Sequence, residues 1–145
     1  MKISSKGRYA IRMLIDLSEH VNEGFIPLKD VSERQNISKK YLEQIVPLLN
    51  SGGLLRTERG AQGGYQLAKA PENVTMAEVL RLTEGSLSPV DCGSQDPVQC
   101  DRSVDCATLP VWQGLSRVIN EYLESISLQD ILDQQRERGN YDYVI

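Results

Sequence analysis

The 145-residue sequence predicts a mainly α fold that carries one small β-hairpin wing and ends in a long helix suited to pairing two chains. Three observations predict it. Apolar residues recur at helical spacing along most of the chain. One glycine-rich turn, 59–64, separates two short β-prone segments, 54–58 and 65–68. A further apolar stripe, past residue 110, repeats at three- and four-residue steps. At this length the chain forms one ordinary domain, or one small domain with an appended oligomerisation element. With 40% hydrophobic and 25% charged residues it can bury a core.

The elements follow in order. A first helix is expected from about Ser5 to Val21, with Ala10, Met13, Leu14, Leu17 and Val21 as its apolar stripe. Gly24 ends it and Phe25-Ile26-Pro27 turns the chain. A second helix, Leu28 to Gln35, turns Leu28 and Val31 inward. Asn36 suits a left-handed C-cap, Ile37 plugs the turn, and Ser38 caps a third helix. That third helix has Leu42, Ile45, Val46 and Leu49 on one face and Lys39, Lys40, Glu43 and Gln44 on the other. Pro47 should bend it late.

Two short helices joined by a tight turn, the second with a polar N-terminal face, describe a helix-turn-helix. Lys39 and Lys40 would pair with phosphates, Gln44 with adenine, and Glu43 with the amino group of cytosine. The hairpin then makes a winged helix. Arg59 at its tip would enter a minor groove, where negative potential concentrates. The glycine run is no phosphate loop, because no Gly-Lys-Ser/Thr and no helix follow it.

Thr75 and Glu78 form a capping box for the next helix, which carries Met76, Val79, Leu80 and Thr83 on one side and stops at Gly85. A loop over 86–109 follows, and loops this long are usually functional or disordered. It holds all three cysteines, Cys92, Cys100 and Cys106, separated by seven and five residues. An odd count cannot close into a full disulfide set within one chain. Three thiols on one loop fit a soft metal or an iron–sulfur cluster, fit a thiol redox switch, and also fit no special role. Pro110 suits the first position of a long helix. There Trp112, Leu115, Ile119, Tyr122 and Ile126 form a heptad seam for a second copy of the chain. Ser127 caps a short helix with Leu128, Ile131 and Leu132. The division expected is a DNA-binding domain at 1–70, dimerisation helices with the cysteine loop at 71–133, and a C-terminal tail at 134–145, polar and loose until Tyr141.

Net charge is −4 and the pI about 5.0, which taken alone argues against nucleic acid. The charge is unevenly spread: residues 1–70 carry +4 and residues 71–145 carry −8. The helix-turn-helix lies in the basic half. No stretch reaches the roughly 18 apolar residues of a membrane span, and no apolar run follows the first lysines. A cytoplasmic location, with no membrane partner, is expected. One histidine and no nucleophile–base pairing exclude a catalytic constellation.

Three segments together resemble one bacterial family of winged-helix regulators, the Rrf-type family of IscR, NsrR and CymR. They are Ser4-Ser5-Lys6-Gly7-Arg8-Tyr9-Ala10, Ile37-Ser38-Lys39-Lys40-Tyr41-Leu42-Glu43-Gln44 and Arg59-Gly60-Ala61-Gln62-Gly63-Gly64-Tyr65. The resemblance runs from residue 1 to about 132. It implies a dimeric transcription regulator, by default a repressor, on a double-stranded pseudo-palindromic operator. It places Ser38, Tyr41, Glu43 and Gln44 in the recognition region and Arg59 in the wing, with Glu43 discriminating between target-site classes.

IscR- and NsrR-like members hold an iron–sulfur cluster on three cysteines of this loop, and CymR-like members lack the set. The resemblance therefore implies a cluster on Cys92, Cys100 and Cys106, of 2Fe-2S type first, with 4Fe-4S and zinc as alternatives. The first gap is longer than the IscR pattern. Leu109 stands where IscR-like proteins have a histidine, and Arg8 where NsrR-like ones have an acid. The fourth ligand is unassigned. Asp91, Asp101, Asp105 and Thr108 are nearby oxygen donors, and His20, alone on the first helix, reads as structural. The rival reading is a cluster-free regulator of the same fold, controlled by thiol oxidation or a partner protein.

Overall fold

The structure is a computed structural model that describes residues 2–142. Six α-helices and one two-stranded hairpin follow one another: α1 (Ser5–Glu19), α2 (Leu28–Gln35), α3 (Lys39–Ser51), β1 (Leu55–Glu58), β2 (Gly64–Leu67), α4 (Met76–Glu84), α5 (Leu109–Glu124) and α6 (Leu128–Asp142). The mainly α class with a β-hairpin wing is as expected. No helix among the described residues is long and apolar enough to cross a membrane.

Local chemistry sets the helix-turn-helix. α2 has the expected bounds, and Asn36 takes the left-handed conformation, φ 52°. Its side chain is short and polar, so that conformation costs it less than most residues. Ile37 enters the core, and the Ser38 hydroxyl accepts from the Tyr41 N–H at 3.1 Å to start α3. Pro47 lies inside α3, where its missing N–H frees the Glu43 carbonyl.

β1 and β2 pair antiparallel with Leu55 opposite Leu67 and Glu58 opposite Gly64. Ile26 adds an isolated antiparallel bridge to β2, exchanging both backbone hydrogen bonds with Tyr65 at 2.9 Å. A Cβ at Gly64 would lie 2.3 Å from the Ile26 carbonyl oxygen, so only glycine allows that pairing.

The main core gathers Ala10, Met13, Leu14 and Leu17 of α1 with Leu42, Ile45 and Leu49 of α3, closed by Leu54, Val74, Val79 and Leu128. A smaller cluster of Ala77, Leu80 and Leu87 is flanked by Ile3, Ile11, Ile119 and Leu123. It joins α4 and α5 to the start of α1.

Four details depart from the sequence reading. α1 stops at Glu19, and Val21 lies exposed in a 3-10 turn instead of extending the stripe. The Thr75 hydroxyl does cap α4, but the Glu78 carboxylate is taken by Lys69 at 2.6 Å, so the reciprocal half of the box is replaced by an ion pair. α5 begins at Leu109, one residue before Pro110. The tail expected from Gln134 is instead helical, as α6 runs on to Asp142. Ile131 and Leu132 seat that helix and Gln135 donates to Glu19 of α1 at 2.8 Å. Residues 143–145 of the expected tail lie outside the described residues.

Candidate functional site

α3 divides its side chains as an amphipathic helix must. Leu42, Ile45, Val46 and Leu49 are buried, and Ser38, Lys39, Lys40, Glu43 and Gln44 are exposed. Tyr41 behaves differently. It is half-buried, with its ring edge-on to Tyr9 of α1 at 5.5 Å between centroids. Arg59 is exposed where the wing begins to turn.

Lys39, Glu43 and Arg59 line one open groove between α3 and the wing. Lys29 of α2, Asn50 of α3, and Thr57 and Glu58 of β1 share it. Three cations and two carboxylates therefore face one channel. Cationic side chains there can hold phosphates, and a carboxylate such as that of Glu43 can accept from a base amino group while disfavouring phosphate. Lys29 escaped the sequence reading, although an exposed lysine in the first turn of the leading helix was a legible signal. Asn50 and Thr57 gave none, because only the pairing of α3 with β1 brings them within 3.5 Å.

The helix-turn-helix is braced from α1. Asp16 is a buried carboxylate that accepts from both Arg34 and Gln35 at the end of α2. Arg12 donates to the Gln35 backbone carbonyl and, at 3.2 Å, to its side-chain oxygen. His20 closes α1, with Nδ1 2.8 Å from the Asp16 carbonyl oxygen, which fits its structural reading.

The three cysteines lie on one irregular segment and none forms a disulfide. Cys92 sits in a 3-10 turn, Asp91–Gly93, packed on α5. A Cβ at Gly93 would come within 2.6 Å of the Ser88 hydroxyl and 3.1 Å of the Trp112 carbonyl. That glycine therefore sets how closely the turn approaches α5. Cys100 is exposed and begins two successive tight turns, closed by Ser103 N–H to Cys100 and Asp105 N–H to Arg102.

Cys106 stands just before α5, 3.5 Å from the Thr108 hydroxyl. Its thiol is held below the ordinary cysteine value, first by that hydroxyl and then by the Thr108 backbone. The Leu109 backbone and the positive charge of Arg102 add to the effect. Thiolate character is what a metal ligand needs. A small hollow beside it is lined by Asp101, Arg102, Asp105 and Thr108. Among the described residues, no three Cys, His, Asp or Glu side chains converge on a single metal position. By donor chemistry the segment still fits a thiophilic group. It offers three soft thiols, and its one 3-10 turn leaves most of the backbone unconstrained by regular structure.

The apolar surface of α5 divides into two faces. Ile119 and Leu123 pack inward against the cluster of Ala77, Leu80 and Leu87. Val111, Leu115, Val118 and Tyr122 stay 58%, 42%, 58% and 64% exposed. The seam expected through Trp112, Leu115, Ile119, Tyr122 and Ile126 therefore mixes inward and outward residues. Only Leu115 and Tyr122 of it belong to the open stripe.

A model of the Rrf2 family, described as an iron-dependent transcriptional regulator, matches residues 3–134. The HTH-type transcriptional regulator IscR of Aliivibrio salmonicida is 36% identical, covering 98% of this chain and 86% of its own. Among solved structures, IscR of T. potens superposes with a TM-score of 0.75 at 38% identity, covering 95% of this chain and 90% of that one. CymR, the global cysteine regulator of B. subtilis, superposes with a TM-score of 0.74 at 34% identity, covering 92% and 98%.

Proposed function

The chain belongs to the Rrf2 family of transcriptional regulators, and from that premise we propose that it is a homodimeric repressor whose operator affinity is set by an iron–sulfur cluster on Cys92, Cys100 and Cys106. Regulators of this family bind DNA and are not enzymes. The observation that carries the cluster reading is the confinement of all three cysteines to one pliable segment. That segment is docked on α5 at Gly93 and ends at Cys106, where the thiol is already held toward its thiolate.

In this reading α3 enters the major groove. Lys39 and Lys40 hold phosphates, and Glu43 and Gln44 read base edges. Ser38, whose hydroxyl oxygen is used in capping, has its proton free for a phosphate. Tyr41 acts indirectly, by holding α3 against Tyr9. Arg59 reaches the minor groove from the wing. A second copy covers the Val111, Leu115, Val118 and Tyr122 stripe, and sets two α3 helices one DNA turn apart.

When bound, the cluster supplies an iron- and redox-sensitive tie between the three thiolates. Cys92 rides on the turn against Trp112, and Cys106 leads into α5, so order in the loop bears on the helix that joins the two copies. Repression follows when the dimer occupies a promoter. A tenfold change in operator affinity needs a difference of only about 1.4 kcal/mol between the two states. Cytoplasmic action is part of this proposal.

The likeness to CymR, nearly equal in TM-score, supports a second reading: a cluster-free regulator controlled by thiol oxidation or by a partner. Anaerobic purification followed by a visible absorption spectrum separates the two. Sulfur-to-iron charge-transfer bands support the cluster. A colourless protein after reconstitution, with or without bound zinc, removes it.

A further inference from the structure

We propose that Asp16 is a positioning residue for sequence-specific DNA recognition, fixing the entry of α3 without itself meeting DNA. Asp16 is 1% exposed, on the core side of α1. Arg34 Nε donates to its Oδ2 at 3.0 Å and Nη2 to its Oδ1 at 2.7 Å, a two-pronged fork. Gln35 Nε2 adds a third bond at 3.0 Å. His20 faces it from the end of α1, with Nδ1 3.8 Å from Oδ1 and with Glu23 on its other side.

The two donors are the last two residues of α2. Asn36 then turns the chain, Ile37 enters the core and Ser38 caps α3, so two residues separate Gln35, the second donor, from that cap. Arg12 grips the same corner from one turn earlier on α1. It bonds both oxygens of Gln35 and lies 5.3 Å over the Tyr9 ring, whose neighbour is Tyr41 of α3. α2 is thus held to α1 by directional polar contacts, and α3 by the Tyr9–Tyr41 edge contact and apolar packing.

Asp16 is buried but Arg34 is exposed, so desolvation of the carboxylate and solvent around the guanidinium both limit what the pair adds to stability. Its distinctive product is geometry: a guanidinium on a carboxylate fixes two atom pairs in a plane, and apolar contact does not. Base readout needs side chains placed to within about 0.5 Å, whereas phosphate attraction depends mainly on charge. Loosening this corner therefore weakens specific binding far more than non-specific binding. A loss of overall stability would lower both alike.

The inference rests on the docking of α3 proposed above. The test uses the full chain and two duplexes: one enriched by the wild-type protein from a random pool, and one of shuffled sequence with the same composition. Binding to each is measured over a salt series, together with thermal unfolding. Asp16→Asn keeps the shape and loses the charge that holds the fork. Affinity for the enriched duplex should fall about tenfold or more, the cost of a misread base pair. Affinity for the shuffled duplex, and both salt slopes, should stay at their wild-type values. Arg34→Lys keeps the charge without the fork and should give a smaller loss of the same kind. It carries the test if Asp16→Asn does not fold. A folded variant with the wild-type ratio of the two affinities, or with parallel losses on both duplexes, overturns the role of Asp16. A wild-type chain that enriches no duplex overturns the docking of α3 instead.

Discussion

The carboxylate of Glu84 accepts a hydrogen bond from the backbone N–H of Ser4 at 3.0 Å and a second from the Ser4 hydroxyl. The same hydroxyl accepts from the Gly7 N–H, so the cap of α1 is held by the last turn of α4. Gly85 and the cysteine loop follow at once. Ser4→Ala removes the cap and the hydroxyl half of the clamp, leaving the backbone N–H bond to Glu84, and should cost about 1–2 kcal/mol in urea unfolding. Glu84→Gln, which leaves the cap in place, should cost less.

The wing depends on a backbone approach that only glycine permits. In Gly64→Ala the new methyl group would meet the Ile26 carbonyl at 2.3 Å, and the Ile26–Tyr65 rung must open. We expect a loss of about 2 kcal/mol, within the range for an overpacked site. Hydrogen exchange should rise at the Tyr65 and Ile26 amides while the core amides of α1 stay protected.

The proposed recognition by α3 and the wing makes separable demands. Gln44→Ala should weaken the operator by about 1–3 kcal/mol and relax the preference at one base position. Arg59→Ala should weaken binding and reduce its salt dependence. A protein in which neither change affects operator affinity does not dock through these elements.

The open stripe on α5 is the proposed dimer contact. Leu115→Glu and Val118→Glu alter side chains that are exposed in the single chain, so each should fold with the helical content of the wild type. Light scattering on a sizing column should nevertheless shift from dimer to monomer. Retention of the dimer in both variants would place the interface elsewhere.

Much of this was legible in the sequence where local chemistry decides the structure. Asn36 and Ser38 mark the helix-turn-helix to the residue, because a left-handed cap and an N-cap each need only a few neighbouring atoms. The hairpin was legible from Gly60, Gly63 and Gly64. What escaped depends on distant partners. Lys69 takes the carboxylate of Glu78 away from its own cap, and Arg34 reaches Asp16 across 18 residues. On α5, one periodic stripe serves two faces, and only the packing of Ile119 and Leu123 against α4 shows which is which. α6 has a polar second half whose helix is held by contact with α1, including Gln135 to Glu19. The cysteines were legible as a set, but a metal position is a property of folded loop and metal together.

Under the proposed function, the cysteine loop sets DNA affinity. The most direct test is operator affinity of one anaerobic preparation, measured before and after the cluster is removed by a chelator. We expect a change of at least about tenfold between the two forms, absent in a variant with Cys92, Cys100 and Cys106 all replaced by serine. Equal affinity before and after removal would contradict the account.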